Sequence, residues 1–341
     1  MANTTIEDVA KRANVSIKTV SRVINNEAHV RAKTRLKVER AIKKLGYRPN
    51  VSARSLASTR SYLIGLLYDN HSASYLIEIQ NGALRTSRAQ GYDLVIHPCH
   101  YEDPELVDSI SSIIKSRSVD GLVLTPPLSD MQPLLQSLDK AGIAFALIAP
   151  ANAADDDRSI YTNDQEACAE MTRYLASLGH RRIGFVIGHP DHGAVGNRYL
   201  GYRDGLKSSG MKFDRSLVQQ GYNSFESGEK CARRLLNLED RPTAIFAAND
   251  DMAAGVMKVA HEMELSIPDD LSVAGFDDVP LARHIWPSLT TIRQPMDEMA
   301  VQATALLMNQ ILGNTDDGVE HTIPSTLVIR DSTGPCPSSG S

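Results

Sequence analysis

Long apolar runs are missing from this 341-residue chain. No segment approaches the ~18 consecutive apolar residues of a membrane-spanning helix. The polar start MANTTIED has neither the basic nor the apolar region of an export signal, so a cytoplasmic protein with no membrane partner is expected. Cysteine is scarce. Cys99, Cys168, Cys231 and Cys336 stand far apart with no C-x-x-C pair, which excludes a disulfide scaffold or zinc ribbon and suits a reducing compartment. Also missing are G-x-G-x-x-G after the first strand, G-x-x-x-x-G-K-[ST] and G-x-S-x-G. A nucleotide-dependent dehydrogenase or kinase is thereby rejected, and no catalytic, cofactor or metal site is expected. The histidine pairs in HPCH (97–100) and HPDH (189–192) have no second pair at zinc-finger spacing and read as loop histidines. The acidic run ADDDR (154–158) reads as a solvated surface.

Charge is present but segregated. Residues 1–60 carry 14 Lys and Arg against 4 Asp and Glu, a net of +10, whereas residues 61–341 carry 22 against 37, a net of −15. A small basic segment on a large acidic body suggests a polyanion-binding module attached to something with different work to do. The length suffices for two or three domains with proper cores.

The basic segment reads as three short helices. Thr5 can cap a helix with Glu7 and Asp8 in its first turn and Ile6, Val9, Ala10 and Ala13 on one face. Asn14-Val15 breaks it, and Ser16 caps a second helix with Val20, Val23 and Ile24 as its apolar stripe. A third helix, from about Lys33 to Leu45 with Gly46 as its stop, turns Val38, Ala41, Ile42 and Leu45 inward. The first two form a helix-turn-helix. If the second helix enters a DNA major groove, Ile17, Lys18, Ser21 and Arg22 lie nearest the base edges. Arg22 can donate two hydrogen bonds to guanine, Lys18 can donate to guanine or phosphate, and Ile17 can pack on a thymine methyl. Ser16, Thr19, Asn25 and His29 suit phosphates, which position a protein without reading sequence.

TIEDVAKRANVSIKTVSRVIN (5–25), followed by VRAKTRLKVERAIKKLGYRPNVSARSLAS (30–58), resembles the headpiece of the lactose-repressor (LacI/GalR) family of bacterial transcription regulators. The resemblance continues to about residue 333. In PNVSARSLAS (49–58), Pro49 ends the preceding element and Asn50 can cap a short helix carrying Ala53, Leu56 and Ala57, which is marginal alone in water. The resemblance implies a hinge that folds when two copies meet on DNA, with Leu56 wedged into the minor groove and Ala53 permitting close approach.

Beyond Tyr62, β-rich apolar runs alternate with helix-length segments: 62–68, 92–98, 119–126, 143–149, 182–188, 243–249 and 271–278, with STLVIRDS (325–332) as the last strand. Short unbroken apolar strands separated by helices mean parallel sheets covered on both faces. Two sets suggest two doubly wound subdomains with ligand between them at the strands' carboxyl ends. The fold class is therefore an all-α helix-turn-helix headpiece plus an α/β effector domain. The resemblance makes that domain periplasmic-binding-protein-like, with three chain crossings near Tyr161, Ile292 and Thr322. It divides the chain into headpiece (1–48), hinge helix and linker (49–61), N-subdomain (62–160 and 293–322), C-subdomain (161–292 and 323–333) and a disordered tail (334–341). The tail contains no leucine heptads, so a homodimer is the simplest assembly.

Polar residues fall at the expected strand ends. Asp277, Asn249, Arg198 and Gln294 align with ligand-contacting positions of the family, and Asp69, Asn70, Ser74 and Tyr75 follow the first strand. Asp277 can accept from vicinal hydroxyls, while Arg198 and Asn249 can donate. Asp250 reads as the cap of the following helix. Asn223, with Tyr222 and Phe225 nearby, stands where close relatives place a stacking aromatic, and IAPANA replaces a carboxylate expected after the fourth strand. The effector is therefore not named from relatives. Together these features describe a bacterial cytoplasmic regulator, nucleoid-associated when bound to DNA. It is expected to repress by binding a pseudo-palindromic double-stranded operator as a homodimer, under allosteric control by a small polar effector, a sugar being the first choice. The alternative is a co-repressor-type or activating regulator that answers to a nucleobase, a phosphosugar or a protein partner.

Overall fold

The computed structural model describes residues 4–24, 30–47, 60–70, 72–116, 118–151, 157–315 and 318–337. Asn25, His29, Ala53 and Leu56 lie outside these residues, as do positions 338–341 of the tail. The chain divides into two compact units, Met1–Tyr62 and Leu63–Ser341.

In the first unit α1 (Ile6–Ala13), α2 (Ile17–Ile24) and α3 (Ala32–Leu45) enclose one small core. Thr5 and Asp8 cap α1 reciprocally: the Asp8 N–H donates to the Thr5 hydroxyl at 3.3 Å and the Thr5 N–H to the Asp8 carboxylate at 2.8 Å. The helix ends at Asn14, whose φ of 51° is a left-handed conformation that Asn tolerates. Ser16 then starts α2 by accepting from the Thr19 N–H at 3.1 Å. Val9, Val20 and Val38, one from each helix, are fully buried against one another, each worth about 1.5–3 kcal/mol relative to exposure.

The second unit contains two six-stranded sheets. Its elements are β1 (Leu63–Tyr68), α4 (Ala73–Ala89), β2 (Asp93–Pro98), α5 (Leu106–Lys115), β3 (Gly121–Leu124), α6 (Gln132–Ala141), β4 (Ala144–Ile148) and β5 (Ser159–Thr162). Then come α7 (Asp164–Ser177), β6 (Ile183–Ile187), α8 (Ala194–Ser208), β7 (Val218–Gln220), α9 (Phe225–Leu236), β8 (Ala244–Ala247) and α10 (Asp250–Glu262). The chain continues through β9 (Ser272–Asp277), α11 (Pro280–His284), β10 (Thr290–Arg293), α12 (Met296–Leu312), β11 (Thr322–Ile323) and β12 (Thr326–Val328). The N-lobe sheet runs β11-β5-β4-β3-β1-β2 and the C-lobe sheet β12-β10-β9-β8-β6-β7. The strand pairs are parallel except β10–β12. The chain changes sheets after β5, after β10 and between β11 and β12. In each sheet the first strand lies between the second and the third, so each has a topological switch point whose carboxyl ends open a crevice.

Apolar strand residues make the cores. Phe185 of β6 stacks on Tyr202 of α8 at 4.7 Å and meets Phe246 of β8 edge-on at 5.3 Å, while the Tyr202 hydroxyl donates to the Ile183 carbonyl at 2.8 Å.

Three expectations need correction. The last strand is shorter than 325–332 and runs antiparallel, as Thr326–Val328. Residues 334–337 do not form a disordered tail. The Gly334 N–H donates to Ser272 Oγ at 3.0 Å, its carbonyl lies 3.1 Å from the buried His180 ring, and the Cys336 N–H donates to the Leu178 carbonyl at 2.8 Å. These bonds use backbone groups, which carry no side-chain signature. Asp250 does not cap α10. Asn249 does, accepting from the Met252 N–H at 3.0 Å, while the fully buried Asp250 accepts from the Val279 N–H at 2.9 Å and the Thr291 hydroxyl at 2.6 Å. Gly275 leaves the room this carboxylate occupies, since a Cβ there would collide with it.

Asp250 thus fastens α10 to β10 and to the turn after β9. Asp250→Ala would strand two buried donors, at ~1–3 kcal/mol each. Urea unfolding of this variant should show a loss of about 2–6 kcal/mol, and an unchanged midpoint would contradict the role.

Candidate functional site

Two surfaces answer to the candidate residues, one in each unit. On the first, Val20 and Val23 turn α2 inward, so that Ile17, 47 % exposed, and the exposed Lys18 and Arg22 lie on its outer side, with Ser21 half-buried beside them. Ser16 and Thr19 are engaged with each other at the start of the helix, their hydroxyls 2.9 Å apart.

The second surface is a cleft of about 250 Å³ between the two sheets, at the small end for a ligand pocket. Asn70, Tyr75, Arg198, Asn223, Asn249, Asp277 and Gln294 all line it, so all seven candidates for this site share one cavity. The chain positions them by a common device: each follows or ends a strand at the crevice side, or opens the helix after it. Ser74 is not among the lining residues; Ser72 is. Phe225 is likewise absent from the lining, whereas Tyr222 is present and 52 % exposed.

Arg198 organises the floor. Its Nε donates to Asp164 at 2.9 Å, its Nη1 donates to the Ala248 carbonyl at 2.7 Å and lies 3.7 Å from Asp277, and its plane rests 3.6 Å from the Phe276 ring centroid. Asp164 accepts in turn from the Thr162 hydroxyl. Asn249 has divided duties. Its oxygen caps α10 while its Nδ2 donates to the Asn223 carbonyl at 3.0 Å, which leaves one N–H for another partner. Asn223, at φ 58°, turns its own side-chain oxygen to the His189 N–H at 3.2 Å. Asn70 accepts from the Ser72 N–H at 2.8 Å.

Burial pushes the Asp277 carboxyl up to about 7, with Arg198 opposing and Asp251 and Asp164 adding to the rise. Burial, and then the charge of Asp277, push the Tyr75 phenol well up as well, so it remains a neutral donor. His192 is pushed down to about 4 by burial, then by His189 and Arg198, and is a neutral imidazole at physiological pH.

Several lining residues escaped the sequence reading. His100, Tyr101, Glu102, His189 and His192 also line the cleft, and they belong to or adjoin the two histidine pairs read there as loop histidines. Each pair was placed just beyond a strand, but that place was not connected with the crevice; His97 itself lies within β2. The Tyr101 hydroxyl donates across the cleft to Asp191 at 2.6 Å, and His189 meets Tyr101 and Tyr222 edge-on at 6.1 and 5.5 Å. The lobes also meet at Gly193, which lies so close to Ala151 that a Cβ there would collide with it.

Comparison with known proteins places both units. The model for bacterial regulatory proteins of the lacI family matches residues 5–50, and that for the periplasmic binding protein-like domain matches residues 172–333. The HTH-type transcriptional repressor PurR of Pectobacterium carotovorum is 35% identical over 329 residues, covering 96% of this chain and 96% of its own. The chain belongs to the LacI family. Among solved structures, the lac repressor dimer bound to operator and the anti-inducer ONPF matches with a TM-score of 0.75 at 28% identity, over 98% of this chain and 100% of that one. The complex of the transcriptional regulator CelR with cellobiose matches at 0.73 and 30%, over 97% and 100%. This LacI-family chain is a DNA-binding transcription regulator, and its relatives are regulators rather than enzymes.

The raised Asp277 carboxyl has a sign that can be checked without ligand. Its folded pKa lies above the unfolded value, so the stability it contributes is present below about pH 4 and is lost as pH rises towards about 7. Melting temperatures of the wild type and Asp277→Asn should therefore diverge across that window, with the wild type losing more on going up. Parallel curves would rule the shift out.

Proposed function

We propose that this regulator represses transcription by binding a pseudo-palindromic operator as a homodimer, and that a sugar in the cleft sets its operator affinity. The observation that carries the proposal is the gathering of seven candidate side chains from both lobes into one cavity at the carboxyl ends of both sheets. Asp277 offers acceptor oxygens to vicinal hydroxyls, Arg198, Asn249 and Tyr75 offer donors, and Tyr222 offers an apolar face to a ring. The sugar found with CelR supports this choice of ligand class.

On the DNA side, Ile17, Lys18, Ser21 and Arg22 read base edges, while Ser16, Thr19, Asn25 and His29 hold phosphates. Leu56 is the minor-groove wedge and Ala53 allows its approach, a role that rests on the family resemblance. Two-fold symmetry of the operator follows from two copies of the headpiece. Trp286, the single tryptophan, is 89 % exposed in the isolated chain, an apolar surface that a second copy could cover.

Control works by population shift. Effector that touches both lobes favours one arrangement of them, and this alters whether the paired hinges can dock on DNA. The coupling is reciprocal, so operator changes effector affinity by the same factor.

Two measurements test the reading. Operator affinity at fixed salt, on a DNA sequence selected by the protein, should show two chains per site and respond to one member of a sugar panel. Weakening identifies an inducer, strengthening a co-repressor, and indifference to every sugar would remove the proposal. Separately, Arg22→Ala should cost ~1–3 kcal/mol of operator binding and relax preference at one base pair. Equal weakening on all sequences would instead make Arg22 a phosphate contact.

A further inference from the structure

The cleft is crowded with acceptors and short of available positive charge. Three carboxylates line it, Asp69, Glu102 and Asp277, against the single guanidinium of Arg198. That guanidinium is already committed to Asp164 and the Ala248 carbonyl, with Asp277 alongside, so an incoming anion would find no unmatched cation there. The neutral imidazole of His192 supplies none either.

Helix N-termini are the other usual seats for phosphate or carboxylate. At the cleft Asn249 caps α10, and Asp250 and Asp251 are the first two residues of that helix. Asp164, which holds Arg198, is likewise the first residue of α7. The chain has thus placed its own anions at these two helix starts.

What the cleft lacks is hydrogen-bond donors for its acceptors. The Asp277 carboxylate takes part in an ion pair at 3.7 Å but receives no hydrogen bond from the described residues, and the Gln294 Oε1 is buried without a partner on a residue only 6 % exposed. A ligand completes the site by bringing hydrogens, and a phosphate at neutral pH brings mainly acceptors.

We infer that the effector is an uncharged, hydroxyl-rich molecule of monosaccharide size that donates to Asp277 and Gln294, and that the cleft rejects its phosphorylated and carboxylated derivatives. The inference rests on the sugar reading of the same site and narrows it. Size follows from the cavity of about 250 Å³.

The test is calorimetric titration of the full chain with matched sets: aldohexoses and aldopentoses, their terminal phosphates, and their aldonates, with hypoxanthine and guanine alongside. A neutral sugar should bind, and its phosphate and aldonate should bind at least about tenfold more weakly. Tighter binding of a phosphate or aldonate than of its parent overturns the inference while leaving the sugar reading standing. Binding of no member of the set overturns this inference, the sugar panel on operator DNA then deciding the sugar reading; binding of a nucleobase alone removes both.

Discussion

The buried cluster of Arg198, Asp164 and Asp277 is the interaction on which the effector cleft depends. A guanidinium taken out of water is costly unless it is paired and hydrogen-bonded. Here it is met by a carboxylate at 2.9 Å, a carbonyl at 2.7 Å and an aromatic face. Those partners come from the start of α7, the end of β8 and the end of β9, so one side chain on α8 ties these three elements together at the cleft. The same cluster sets the electrostatics. With its positive charge matched inside the protein, the cavity is left with the surplus carboxylates that give it its chemical preference.

Around this floor the two lobes touch where the Tyr101 hydroxyl donates to Asp191 and the Tyr101 ring meets His189 edge-on, and where Gly193 lies against Ala151. The Tyr101–Asp191 bond is exposed and can be exchanged with water at small net cost. An arrangement held in this way is one that a ligand of modest affinity can bias. The cores of the lobes, by contrast, are close-packed around Phe185, Phe246 and Phe276 in one and Phe145 in the other.

Much of this was legible in the chain itself, and the parts that were not have a common cause. The headpiece could be read because its caps, its break and its apolar stripe are local signals that agree. The seven cleft residues could be read because doubly wound sheets place polar strand ends in one crevice. The short strands β5, β7, β10 and β11, two to four residues long, went unseen because pairing with a neighbour, not any pattern of their own, makes them strands. The exchange of roles between Asn249 and Asp250 and the anchoring of residues 334–337 likewise depend on partners distant in sequence. The histidine loops were set aside because their place beyond a strand was weighed only against a metal site and not as a place on the cleft.

The triple crossing of the chain between sheets bears on how the protein is made. The headpiece is finished once residue 47 has been synthesised, since its three helices are contiguous. The N-lobe begins at Leu63, yet it lacks α12, which packs on β3, β4 and α4, and its edge strand β11, until residue 323 is available. The C-lobe waits for β12 and for the residues that bind Ser272 and His180. Neither lobe can be completed before residues 323–334 are available, so the effector cleft and both its walls come into being together, long after the DNA-reading helices are ready.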